Sequence, residues 1–146
     1  MRDGLSSIQV KTGYGAYYYQ GNTAWQTAAI DIQGYDSLTF IVAVGAVLDA
    51  DTVVTTLMQE SDDGTTFTDV ADADMVTQTD GTAPETAAGF QFDDDGEVRK
   101  IGYIGSKRYA KLYLTPANNT GTAAAAIIAV LGHPAPANSP ITQAAS

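Results

Sequence analysis

The sequence predicts an all-β chain, a β-sandwich or barrel, on three observations. Apolar and polar residues alternate with period two over several segments, as half-buried strands require. Clusters of Gly, Asp, Asn and Pro separate those segments at regular intervals and supply the backbone conformations that tight turns need. No helical apolar period of useful length occurs; Ala123–Ala126 would make one turn between two turn signals. With 146 residues, 45% hydrophobic and only 16% charged, the chain is expected to form one domain around one modest core. Seven or eight strands are expected, without an internal repeat.

The elements follow in order. Thr27–Gln33 alternates as a short strand and stops at Gly34-Tyr35-Asp36. Ser37–Ala46 places Leu38, Phe40, Val42 and Val44 on one face and Thr39, Ile41 and Ala43 on the other, so burial on both sides is expected. Val53–Glu60 and Thr65–Val70 flank Ser61-Asp62-Asp63-Gly64, which reads as a hairpin turn. Ala71–Ala88 is a polar connection and the least ordered part expected. Gly89–Phe92 and Val98–Ile104 flank Asp93-Asp94-Asp95-Gly96, which reads as a second hairpin. Tyr109–Thr115 turns Ala110, Leu112 and Leu114 inward. After the turn Pro116–Gly121, Thr122–Leu131 makes a last, nearly continuous apolar strand. The expected organisation is an aromatic-rich extended arm over 1–26, a β-sandwich over 27–133 and a Pro-rich extended tail over 134–146.

Charge is distributed unevenly along the chain. Two basic and all seventeen acidic residues precede position 98, whereas five basic residues and no acid follow it. Those five (Arg99, Lys100, Lys107, Arg108 and Lys111) predict a basic hairpin edge that orients the chain against an acidic surface, its own neighbour's or a larger assembly's. A net charge of −10 argues against nucleic-acid binding. The longest apolar run, around Ala123–Leu131, is too short to span a bilayer, and the N-terminus lacks an export signal, so a cytosolic, soluble product with no membrane partner is expected.

Catalytic and metal chemistry find little purchase. With no cysteine and His133 as the one histidine, Ser-His, Cys-His and His-zinc arrangements lack members. The carboxylates are mostly turn aspartates, which bond their own backbone. For calcium at Asp62-Asp63 or Asp93–Asp95, placing Gly96 or Gly64 at the EF-hand glycine puts Gln91 and Gly102, or Gln59 and Val70, at the terminal ligand positions, which excludes that motif and leaves a loop site of another kind as the open alternative to solvated turn acids. The Asn118-Asn119-Thr120 sequon reads as a turn, and Gly102–Lys107 has the wrong spacing for a phosphate loop. No enzyme activity, cofactor or metal is expected. The arm holds Tyr14, Tyr17, Tyr18, Tyr19 and Trp25, aromatic anchors suited to a protein interface or to stacking on sugars. The interface is preferred because the segment is terminal and glycine-flanked.

Two segments carry a resemblance. Leu57–Val70 (LMQESDDGTTFTDV) and Lys100–Pro134 (KIGYIGSKRYAKLYLTPANNTGTAAAAIIAVLGHP) resemble a family of small head proteins of tailed bacteriophages and prophages. The similarity covers roughly half the chain, leaving out the Tyr-rich arm and Ala71–Ala88. It implies a β-sandwich or jelly-roll-like fold and a non-enzymatic virion structural protein. The role implied is a capsid cement or decoration protein on the capsid surface, made in the bacterial host. Its partner would be the major capsid protein, and a homotrimer is the favoured oligomer. Read from the aromatic arm and the basic cluster themselves, the expected interface residues are Tyr14, Tyr17, Tyr18, Tyr19, Trp25, Arg99, Lys100, Lys107, Arg108 and Lys111. A tail or head-fibre component and a carbohydrate-binding module remain the alternatives.

Overall fold

The structure, a computed structural model, describes residues 4–135, without the side chains of Leu5, Ala16 and Tyr17. The expected tail beyond Ala135 lies outside the described residues. Ten strands form two antiparallel sheets: β1 (Ile8–Gln20), β2 (Trp25–Gln26), β3 (Ile30–Asp31), β4 (Tyr35–Val47), β5 (Val53–Ser61), β6 (Thr68–Asp69), β7 (Phe90–Gln91), β8 (Val98–Tyr103), β9 (Tyr109–Ala117) and β10 (Thr122–Pro134). One sheet has the order β1-β10-β4-β8. The other is built on β2-β9-β5-β6, with β3 also on β9 and β7 also on β5. The expected β-sandwich is the observed fold, with one short helix, α1 (Pro84–Ala88).

The alternation of apolar residues decides which face of each long strand is inside. On β4, Leu38, Phe40, Val42 and Val44 are buried; on β10, Ala123, Ala125, Ile127, Ala129 and Leu131 are. They pack against Val54 and Met58 of β5 and Ala110, Leu112 and Leu114 of β9, all in one continuous core. β10 lies between β1 and β4 and hydrogen-bonds to both, so its inward residues sit at the middle of the sheet.

Three expectations about the chain path are corrected. The segment taken as an arm is extended, but Ile8–Gln20 lies along β10 as an edge strand. Register shifts between Thr12 and Tyr14, and between Tyr14 and Tyr17, let it follow β10. Gly13 sits at the first shift, where a Cβ would come 3.0 Å from the Ile127 carbonyl oxygen and from Thr27 Cγ2. The turn Asp93–Gly96 does not close a hairpin. β7 pairs with β5 in one sheet and β8 with β4 in the other, so this stretch is a crossover. The Asp94 carboxylate accepts the Gln91 N–H at 2.9 Å, and Asp95 accepts the Val47 N–H at 2.7 Å, tying the crossover down. β4 is buried on one side only: Thr39, Ile41 and Ala43 remain partly exposed.

The polar connection 71–88 is also structured. Met75 is 1% exposed and bridges to Tyr103, and α1 rests on β5 through a Thr56 hydroxyl bond to the Glu85 carbonyl at 2.5 Å. Phe40→Ala removes a fully buried ring from the centre of the four-stranded sheet. We expect it to lower unfolding free energy by about 3–5 kcal/mol, read from urea denaturation followed by circular dichroism.

Candidate interface

The turn after β5 is made by its own polar groups. Asp63 Oδ1 accepts the N–H groups of Thr65 (2.8 Å) and Thr66 (2.7 Å), and the Ser61 hydroxyl donates to it at 2.8 Å. Those bonds, the Thr66 N–H first, hold the carboxyl well below its usual range. Gly64 takes φ +73 beside the Tyr109 ring, a conformation and spacing that favour glycine. Asp49 works likewise across a longer span. The Thr120 hydroxyl, then the N–H groups of Thr120 and Asp51, hold it at about 2. Among the described residues no group of three or more His, Asp or Glu side chains is arranged to hold a metal ion.

The two segments that carry the family resemblance meet in space. The Tyr103 hydroxyl donates to Glu60 Oε2 at 2.6 Å, while the Lys107 N–H donates to the Tyr103 oxygen at 2.9 Å. Burial first, then the Glu60 bond, pushes the Tyr103 hydroxyl above its ordinary range. Lys107 Nζ reaches Asp62 at 2.5 Å. A Cβ on Gly105 would fall 2.5 Å from the Tyr103 hydroxyl oxygen, and one on Gly102 would fall 2.7 Å from Val76 Cγ2. The Ile-Gly-Tyr-Ile-Gly-Ser-Lys-Arg-Tyr run is therefore a clasp joining β8 of one sheet to the end of β5 in the other.

The basic residues occupy less independent ground than their spacing suggested. Arg108 makes a two-pronged contact with Asp31 (3.0 and 2.8 Å), and Arg99 meets Asp94 at 2.6 Å and Glu97 at 2.8 Å. The Arg108 guanidinium is the main cause of the lowered Asp31 carboxyl. Lys111 lies over the rings of Phe67 (4.0 Å) and Tyr113 (4.9 Å). Lys100 is exposed, with no carboxylate partner among the described residues. A one-sided basic face is thus corrected: charges separated along the chain pair up in the fold.

The aromatic cluster divides in the same way. Trp25 is only 4% exposed and stacks on Tyr19 with centroids 3.6 Å apart, so it belongs to the core and not to an outer contact surface. Tyr14 packs on Tyr19 at 5.8 Å, and both lie against the core. Tyr17 pairs through its backbone with Ala125, and its side chain lies outside the described atoms. Tyr18 is 68% exposed.

What sequence reasoning missed is the outer face of the four-stranded sheet. The register aligns Val10, Val130, Thr39 and Gly102 in one row across it, and Thr12, Ile128, Ile41 and Lys100 in the next. Ala126, Ala43 and Val98 form a third row, and Tyr18 lies opposite Ala124 at the far end. Val10 is 59% and Val98 66% exposed. No Asp or Glu occupies these rows, although the chain has seventeen. The signal was present as the second apolar face of Ser37–Ala46, which the sequence analysis assigned to burial.

No protein-family profile and no curated sequence matches the chain. Among solved structures, it is similar to the PBSX exported protein XepA, with a TM-score of 0.58 and 12% identity. That alignment covers all of this chain and 44% of XepA, so the chain spans less than half the length of that protein. The infectious bursal disease virus Gx strain structure aligns at TM-score 0.44 and 12% identity, over 86% of this chain and 33% of that one. The VP2 subviral particle of the same virus aligns at TM-score 0.41 and 14% identity, over 91% and 33%. The likeness to XepA shows a shared β-sandwich fold. No helix among the described residues is long and apolar enough to cross a membrane.

Acid should weaken the molecule through its turn aspartates. Asp49 at about 2 in the folded chain, against about 3.9 unfolded, stabilises fully above about pH 4 and loses that effect as pH falls through 2. Asp31, Asp63 and Asp80 are also lowered and act in the same direction. The urea midpoint is expected to fall between about pH 5 and pH 2. In Asp49→Asn the midpoint should start lower at pH 7 and fall less on acidification.

Proposed function

We propose that this chain is a non-enzymatic structural protein of a tailed-phage virion, a cement or decoration protein seated at junctions of major capsid subunits. The observation that carries the reading is the exposed, carboxylate-free apolar face of the four-stranded sheet. Contiguous apolar surface of this kind marks protein-binding sites. β10, which supplies Ile128 and Val130 to that face, lies within the segment that resembles phage head proteins, as does Lys100.

Binding would draw on apolar burial at roughly 25 cal/mol per Å², offset by the entropy and desolvation losses of association. Several copies acting together convert such modest contacts into firm retention. Orientation falls to the negatively charged turns at the surface, because Arg99, Lys107, Arg108 and Lys111 have partners within the fold. The sugar-binding alternative is weakened, since Trp25, Tyr19 and Tyr14 are drawn into the core and leave Tyr18 without an aromatic platform among the described side chains. His133 contacts Ser37 Oγ at 3.2 Å from an exposed strand end. That pair has no carboxylate behind it among the described contacts, in keeping with a non-catalytic role.

Purified empty heads of the source phage should bind the protein at a fixed ratio to capsid subunits and gain thermal stability in a melting assay. Tyr18→Ala should weaken retention several-fold while leaving the fold intact. Heads that neither retain the protein nor melt later would contradict the capsid role; labelling at the tail by immuno-electron microscopy would move it to the fibre reading.

A further inference from the structure

We infer that the outer face of the four-stranded sheet is where a second copy of this chain docks, forming a two-fold symmetric dimer. The inference takes from the proposed function only that this face is a protein contact. It adds the identity of the occupant, a second copy, so that the dimer meets the capsid through its remaining surfaces.

The face is large enough for a stable contact. With strands about 4.8 Å apart and about 3.3 Å of rise per residue, four strands present an outer face on the order of 700 Å². β1, β4 and β10 each run 13 residues. That approaches the roughly 800 Å² per partner of a standard stable interface.

Charge favours the same face. The chain carries −10 overall, so two copies repel along most surfaces. The sheet face lacks carboxylates and holds one cation, Lys100, on the edge strand β8. It is the surface on which identical molecules approach without like-charge contact.

The face also matches itself under a two-fold rotation. A two-fold axis along the strands, midway between β10 and β4, lays β10 over the partner's β4 and β1 over its β8. Each row then meets its own reverse. Ile128 falls on the second copy's Ile41, and Val10 falls on Val76, whose side chain covers Gly102. Lys100 falls on the hydroxyl of Thr12. The two Lys100 residues stand about 17 Å apart, three strand spacings across and one sheet spacing between. Apolar groups meet apolar ones and the sole charge meets a polar group, as an isologous contact requires. A dimer of this kind replaces the homotrimer that the family resemblance favoured.

Sedimentation equilibrium of the purified full chain is the test. A mass twice the monomer's is expected at about 100 µM. Ile128→Lys, at an exposed central position, should raise the dimer dissociation constant at least about 30-fold without changing the circular dichroism spectrum. Thr115→Lys, on the other sheet, should leave it unchanged. Because the chain has no cysteine, mixed Ile41→Cys and Ile128→Cys proteins should be joined across the interface by a short bis-maleimide reagent, which spans the sheet separation that a disulfide does not. A monomer throughout, or a dimer indifferent to Ile128→Lys, overturns the inference. A monomer that still binds empty heads overturns the dimer but keeps the capsid role. A dimer that ignores heads does the reverse.

Discussion

Burial of one face of β10 is the constraint on which the rest of the molecule depends. This strand is bonded on both sides, to β1 and to β4. Its inward residues are three alanines, an isoleucine and a leucine, all at most 3% exposed. Small side chains there leave room for Phe40 and Leu38 from β4 and for Met58, Leu112 and Leu114 from the facing sheet. Because side chains alternate, fixing that inner set also fixes the outer set: Ala124, Ala126, Ile128 and Val130 must point away from the core. The core and the uncovered face are two consequences of one register.

Polar contacts close the edges of that arrangement. Tyr103 to Glu60 and Lys107 to Asp62 join β8 and the loop after it to the end of β5, while Arg108 secures Asp31 at the end of β3. Asn119 is 2% exposed; its amide donates to the Gly21 carbonyl at 3.0 Å and its oxygen accepts the Thr52 hydroxyl at 3.2 Å. These bonds explain most of the two family-like segments as scaffold. They also account for why separated charges leave few free cations.

The long strands were legible because period two is a local property. β4, β5, β9 and β10 each match their expected spans to within a few residues. The crossover at Asp93–Gly96 was not legible, since turn chemistry says where the chain bends and not whether its flanks pair. The N-terminal segment misled for a related reason: Gly13 and Gly15 look like hinges, yet Gly13 is needed for close approach to Ile127. Charge pairing was hidden because Arg108 and Asp31 are 77 positions apart. The interface was half-visible. Both faces of Ser37–Ala46 are apolar, but a sequence does not distinguish burial within a chain from burial between chains.

Hydroxyl-radical footprinting of the assembled protein against the same protein at high dilution tests the central claim most directly. If the outer sheet face is the contact surface, Val10, Ile128 and Val130 lose labelling on assembly while exposed Val53 and Phe92, elsewhere on the molecule, keep theirs. Unchanged labelling of Ile128 and Val130, or protection confined to Val53 and Phe92, would contradict it.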